Sequence, residues 1–393
     1  MLLMLAALAV GFVALSACSD DDTDDGTENS SGDGNGNGNG GGAQTSDADL
    51  TVKVGEFITY EVPDGYDAPL TNMTGMVDYR KVGNTLYLNG LQEGKAKLEI
   101  GKDFTLHKEL SIEVLPNPEL EGKTQKITLT TTEAAVGKPI GLEIKIAGDD
   151  AWIDLNNNGV KDEGEAEAAK TAELEERLNL PAKTFSIYGR VYSLVVRYTK
   201  LSALKVENGY ALTRLHCSSD ALQEFRVADL DCPNLRELSL GLNESRTLDL
   251  TRFPNLTELS ISNGNSIGLV DPGNVESIIL PSKYLVKLKV VEQPLRELDL
   301  SGYPCLSWLS LIDTHLKSLD VSPCSKARNL NVFLRDCSML ASVNLANGNN
   351  TNTDVEIYDC KDLKCIKVDK GFDASKWTIP TAVTIKNDGT SCP

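Results

Sequence analysis

The sequence predicts a multidomain, β-rich chain: a small β-sandwich, then a β-rich cap, then a long repeat solenoid. Three observations carry this. Residues 295–321 state L-x-x-L-x-L three times, at Leu295, Leu298 and Leu300, at Leu306, Leu309 and Leu311, and at Leu316, Leu319 and Val321. Such fixed self-similarity marks a solenoid. Residues 47–116 hold short period-two runs between Gly and Asp turns, the pattern of half-buried antiparallel strands. Between the two lies a second β-rich stretch around an oxygen-rich loop. A chain of 393 residues has the length for two or three domains with real cores. Its formal net charge of −19 argues against tracking a phosphate backbone, so no nucleic acid partner is expected.

The first 18 residues, MLLMLAALAVGFVALSAC, carry no charged side chain. The run 2–17 is short for a bilayer span and fits the apolar core of an export signal, although no Lys or Arg precedes it. Leu15-Ser16-Ala17-Cys18 resembles a bacterial lipobox, and Ser19-Asp20-Asp21-Asp22 resembles the acidic surface-export signal of Bacteroidetes-type lipoproteins. The resemblance implies lipidation of Cys18, a place in the outer membrane through that lipid anchor only, and exposure on the cell surface. More than one acyl chain would satisfy the two-signal requirement for stable anchoring. Residues 19–46 are Asp-, Asn-, Ser- and Gly-rich and cannot bury apolar area. They read as a disordered tether with a reach of roughly 30 Å.

In 47–118 the runs Leu50–Val54, Phe57–Tyr60, Leu86–Leu88, Ala96–Ile100 and Leu110–Val114 alternate in hydrophobicity. Their spacing predicts a small β-sandwich. The stretches VKVGE at 52–56 and LNGLQEGKAKLEI at 88–100 resemble strands of bacterial Ig-like modules of the invasin/intimin type, which implies a spacer or stalk. Pro116-Asn117-Pro118 marks a linker.

Residues 119–183 form the β-rich cap. Within it, Asp154-Leu-Asn156-Asn-Asn158-Gly159-Val160-Lys-Asp162-Glu-Gly-Glu165 fits D-x-[DN]-x-[DN]-G-x₅-E. Ca²⁺ wants six to eight hard oxygens; Asp154, Asn156, Asn158, Asp162 and Glu165 supply side-chain oxygens, Val160 a backbone carbonyl, and Gly159 the bend. The flanks are a strand at Ala151–Ile153 and an Ala/Glu-rich helix over 166–178, so the loop resembles the EF-hand-like loops of bacterial surface proteins. It lacks the helix–loop–helix switch. Two neutral Asn point to weak, extracellular-grade affinity, about 10⁻⁴–10⁻³ M, and a structural role. The alternative is an acidic turn that folds without metal.

From 184 to 370 the triplets continue: LSALKV at 201, LTRLHC at 212, LQEFRV at 222, LRELSL at 235, SRTLDL at 245, LTELSI at 256, VESIIL at 275 and LVKLKV at 285 precede the three at 295–321. ARNLNV at 327, LASVNL at 340, Asp354–Ile357 and LKCIKV at 363 follow. Two half-repeats make a unit of about 21 residues. The pattern resembles the leucine-rich-repeat family in its bacterial surface form, where L-x-x-L-x-L alternates with L-x-x-L-D-L/V-S. Residues 124–165 resemble the strand-plus-WIDLNNNG region that precedes such repeats. Residues 371–393, with a strand near Ala382–Ile385, close the C-terminal end.

Strand alternation turns Leu309 and Leu311 inward and Trp308, Ser310 and Ile312 outward. Phe333 and Tyr358 point out from the next units, while earlier outward residues (Glu237, Ser239, Glu258, Ser260) are small or polar. Trp308, Ile312, Phe333 and Tyr358 are therefore the candidate ligand surface. The bland alternative is that the C-terminal cap or a loop covers them. The Asp row Asp249, Asp299 and Asp320 reads as a turn feature. Cys337 with Cys360, and Cys365 with Cys392, each admit either a disulfide or buried free thiols. Three histidines leave few candidates for base catalysis, and His216 and Cys217 point to opposite faces. With no phosphate loop or HExxH, an enzyme is not expected. The expected function is adhesion to a protein ligand through the solenoid. Glycan capture for nutrient uptake, or a purely structural role in the surface layer, are the alternatives.

Overall fold

Leucine triplets fold here into two facing walls. The computed structural model describes residues 48–392 apart from 64, 67–74, 83, 103–104, 174–176, 198–200, 218–221, 223–224, 242–244, 264–272, 282–283 and 328. The export segment with Cys18 and the 19–46 tether lie outside the described residues.

Alternate triplets form one wall, the strands Arg214–Cys217, Glu237–Gly241, Glu258–Ser262, Lys287–Val291, Trp308–Ile312, Leu330–Arg335 and Thr353–Tyr358, all parallel. The intervening triplets make the other wall from shorter pieces: Thr247–Asp249 beside Ser277–Ile279, then Ser318–Asp320, Ser342–Asn344, Cys365–Lys367 and Thr384–Lys386 in order. In the LQEFRV stretch the described residues Leu222, Phe225 and Arg226 lie outside strands; a 3₁₀ turn at Val227–Asp229 begins at its last residue, and Leu230 bridges to Val206.

An in-register parallel ladder stacks equal positions on equal positions. One inward column runs Leu215, Leu238, Leu259, Leu288, Leu309, Val332 and Val355, and a second runs Cys217, Leu240, Ile261, Val290, Leu311, Leu334 and Ile357. All are buried. A single unit offers these side chains nothing to pack against; its neighbours do. Strand ends are set by left-handed residues: Glu292, Asp313, Asp336 and Asp359 have φ of 53°, 49°, 55° and 53°. Three of them donate their N–H to the next rung, Glu292 to the Ile312 carbonyl at 2.8 Å, Asp313 to Arg335 at 2.9 Å and Asp336 to Tyr358 at 3.1 Å. The left-handed turn points the following residue inward, so Gln293, Thr314, Cys337 and Cys360 form a buried corner column. The thiols of Cys337 and Cys360 are free, and Thr314 Oγ1 lies 3.2 Å from Cys337 Sγ.

On the opposite wall the Asp row closes bends. Asp249, Asp299 and Asp320 each accept the backbone N–H two residues on, at 3.0, 2.9 and 3.0 Å. These bonds to Thr251 and Ser301 hold the Asp249 and Asp299 carboxyls below the usual range.

The cap extends both walls. Strand Pro139–Ile146 pairs antiparallel with Val191–Arg197, which leads into Arg214–Cys217, while Arg177–Asn179 forms the outer edge; the sheet so completed has ten strands. Lys126–Thr131, Trp152–Asp154, Thr184–Tyr188 and Leu201–Glu207 make a second, four-stranded sheet. Helix Glu165–Glu173 is shorter than the 166–178 expectation, and Arg177–Asn179 beyond it is a strand. Ala168, Ala169 and Ala172 bury the helix against the same core that fills the solenoid. At the far end Trp377 turns inward and its Nε1 donates to the Thr353 carbonyl at 2.8 Å. A Cys365–Cys392 disulfide ties the last residues to the wall.

The N-terminal part holds two three-stranded sheets around one core, Leu50–Lys53, Thr105–Leu115 and Gly94–Lys102 in one, and Phe57–Glu61, Thr85–Gly90 and Val77–Val82 in the other. Two features depart from expectation. Leu50–Lys53 runs parallel to Thr105–Leu115, and Val77–Val82, whose VDYRKV shows little alternation, is a strand. Among the described residues no helix is long and apolar enough to cross a membrane.

Candidate binding face

The outward side of the ten-stranded sheet is divided in two. Its first strands are covered by the N-terminal module. Register places Phe57, Asn89 and Asp78 in one row across that module's second sheet and Thr59, Tyr87 and Arg80 in the next, all on one face. This face meets the solenoid. Arg236, 2% exposed, lies beneath it with its guanidinium 4.7 Å from the Tyr87 ring and 5.2 Å from the Phe57 ring, and donates from Nη2 to Asn89 Oδ1 at 2.8 Å. Thr213 Oγ1 donates to Asp78 at 2.7 Å. Arg80 bridges Glu237 and Glu258 on neighbouring strands, and Glu237 is held from its other side by Arg214 at 2.8 Å.

Burial governs the charges here. Desolvation brings Arg80 and Arg236 down to about 10 and raises Asp78. His216 falls to about 4, through burial first and then through Arg214, Arg197, Arg80 and Lys287. Glu237 stands 3.5 Å from its Nε2. That carboxylate is already shared by two guanidinium groups and does not rescue the imidazolium. Cys217, the next residue, is in the inward column, where burial pushes its thiol up to about 12.

Sequence reading missed this interface. Arg236 and Asn89 are 147 residues apart, and neither sits in a motif. The available signal was weak: two outward aromatics, Phe57 and Tyr87, on a module expected to stand apart as a spacer.

Beyond Glu258 the face is open. Trp308 is 38% and Tyr358 39% exposed, while Ile312 and Phe333 are half-buried. The four do not share a row. Trp308 lies opposite Asn331, Phe333 between Ser310 and Glu356, and Ile312 beside Arg335, which neighbours Tyr358. Phe333 and Tyr358 are in contact, ring centroids 5.9 Å apart and tilted by 49°. Lys287 Nζ stands 5.9 Å from the Trp308 ring, and Tyr358 donates its hydroxyl to Glu356 at 3.0 Å. The C-terminal segment packs at the end of the stack, with Thr378 bridging to Glu356 along the strand edge.

In the cap the oxygen-rich loop closes on itself. Asp154 is fully buried and accepts from the N–H of Asn158 at 2.9 Å and of Gly159 at 2.8 Å. Glu165 accepts from the N–H of Leu155 and of Asp162, both at 2.8 Å. The side-chain amides of Asn156 and Asn158 donate to Asp162 Oδ2 at 2.9 and 2.8 Å. Among the described residues no three His, Cys, Asp or Glu side chains stand close enough to hold a metal. The donor set nonetheless fits Ca²⁺ if both Asn amides turn their oxygens inward and Val160 contributes its carbonyl, because Asp154 and Glu165 are already oriented by backbone N–H groups and Asp162 by the two Asn side chains.

No family model matches this chain, and no curated protein matches it. A solved structure, the functional domain of InlJ from Listeria monocytogenes, which includes a cysteine ladder, is similar at 16% identity, over 45% of this chain and 48% of that one, with a TM-score of 0.23. This chain thus spans about half the length of that structure. A TM-score of this size does not establish a common fold.

Proposed function

We propose that this is a cell-surface lipoprotein that binds a protein ligand on the open half of its ten-stranded sheet. The carrying observation is the outward-facing group of Trp308 and Tyr358, both exposed, with half-buried Ile312 and Phe333, next to a stretch of the same face that already seats a β-module. Exposed aromatic side chains on a rigid sheet lose little entropy on binding and dominate interface energetics. In this reading the repeats are a bacterial surface leucine-rich-repeat solenoid and the N-terminal module is Ig-like. Cys18 anchors the chain in the outer membrane, and Ca²⁺ held by Asp154, Asn156, Asn158, Val160, Asp162 and Glu165 stiffens the cap. Aromatic rings also suit sugars, which makes glycan capture the second reading. Arrays of host-matrix proteins and of glycans, probed with the purified protein, decide between them. Binding to a matrix protein that falls at least tenfold in Trp308→Ala and Phe333→Ala, with melting temperatures unchanged, is expected. Two blank arrays, or binding indifferent to both substitutions, overturns the proposal.

A further inference from the structure

Two register rows cross the open face, and both read in the same order. One is Lys287, Trp308, Asn331, Asp354; the other is Lys289, Ser310, Phe333, Glu356. Each begins with a lysine beside the docked module, carries one aromatic ring in its middle and ends with a carboxylate at the C-terminal strand. Lys289, Asp354 and Glu356 are exposed, as is Trp308. The third row, Val291, Ile312, Arg335 and Tyr358, breaks the order and adds apolar area. Three strand spacings separate the lysine pair from the acid pair, about 14 Å. An extended chain covers that distance in about four residues.

The same rows show how this face is satisfied where it is occupied. Upstream, the first row continues through Glu237 and Glu258, and Arg80 of the N-terminal module sits across both. Cover on this surface therefore comes from a polypeptide whose charges complement the row. Resting on the protein-ligand reading above, the geometry points to a protein segment of defined polarity as the occupant of the open half. It lies across the strands, with an acidic residue over Lys287 and Lys289 and an apolar or aromatic residue between Trp308 and Phe333. A basic residue about four positions away sits over Asp354 and Glu356. Lys287 already neighbours Glu258 at 3.9 Å and Glu356 accepts from Tyr358, so the exposed Lys289 and Asp354 carry most of the discrimination. A neutral sugar would match neither charge, and a uniformly acidic or basic ligand would meet like charge at one end.

The probe is a displayed library of random 12-residue peptides selected on the full chain. The chains compared are the natural protein, Lys289→Glu, Glu356→Lys, the two combined, and Trp308→Ala with Phe333→Ala. Enriched peptides carry an acid and a base flanking an apolar centre. They bind each single reversal at least tenfold more weakly, and they lose binding to the aromatic double variant. The combined reversal selects peptides of opposite polarity. Both reversed side chains are exposed, so melting temperatures should match and loss of fold is separable. Peptides that bind both reversals within twofold of the natural protein overturn the polarity while leaving the protein-ligand reading intact. An empty peptide selection beside Trp308-dependent glycan binding overturns both, and an empty selection alone overturns the inference.

Discussion

Arg236 tests how the N-terminal module is held. Its guanidinium is buried between Tyr87 and Phe57 and reaches Asn89, yet among the described residues Nε and Nη1 have no hydrogen-bond partner, and the Asp78 carboxylate acts on it only through space. Truncation to Ala removes two cation–π contacts, worth up to about 2 kcal/mol when desolvated. It also strips Asn89 Oδ1 of its donor, about 1–3 kcal/mol for a buried polar atom. Against this stands relief from burying a charge whose donors are only partly met. The expected net loss is about 3 kcal/mol for Arg236→Ala. Arg236→Met loses the same cation–π contacts and the Asn89 donor but keeps most of the volume, so it should lose less than Ala, about 1–2 kcal/mol. Calorimetry with hydrogen exchange checks both. The Ala variant should melt lower, and strands Val77–Val82 and Thr85–Gly90 should lose protection while the solenoid strands keep theirs. If Ala and Met behave alike, the cavity and polar contributions are misassigned. If Ala changes neither melting nor exchange, the guanidinium does not hold the module.

Leu309 is fully buried in the middle of the inward column between Leu288 and Val332, so Leu309→Ala should cost about 2–5 kcal/mol by denaturant titration; a loss under 1 kcal/mol would mean the column is not packed as described. His216, depressed to about 4 in the folded chain against an ordinary 6.5, binds a proton more readily when unfolded. It thus withdraws stability as pH falls from about 6.5 to 4, whereas Asp78, raised by burial, acts in the opposite sense above its ordinary 3.8. His216→Gln should flatten the melting-temperature profile across that window, and an unchanged slope would refute the assignment. If Ca²⁺ binds the cap loop at about 10⁻⁴ M, then about 10 mM should stabilise the chain by about 2.7 kcal/mol. The gain should vanish in Asp154→Asn; no calorimetric heat on titration, together with a melting temperature indifferent to EDTA, would remove calcium from the account.

The leucine repeat was legible because solenoid stacking is local. Each triplet meets only its neighbours, so period and alternation in one dimension determine which residues face in, and Leu309, Leu311 and Cys217 could be placed without coordinates. The Asp turns were legible for the same reason, since Asp249 and Asp299 bond two residues ahead. Other features depended on pairings far apart in the chain. Alternation told that Trp308 and Phe333 point outward but not that Trp308 stands opposite Asn331, because the register depends on the lengths of the intervening bends. It also told nothing of the N-terminal module's seat. The Arg80 and Arg236 contacts join sheets distant in sequence, and their strength comes from desolvation, a property of the folded assembly alone. Sequence determined the column that makes the core and the face that lies opposite it; tertiary packing decided how much of that face remains open, because only docking of one β-module on another buries Glu237, half-buries Glu258 and leaves Trp308 in solvent.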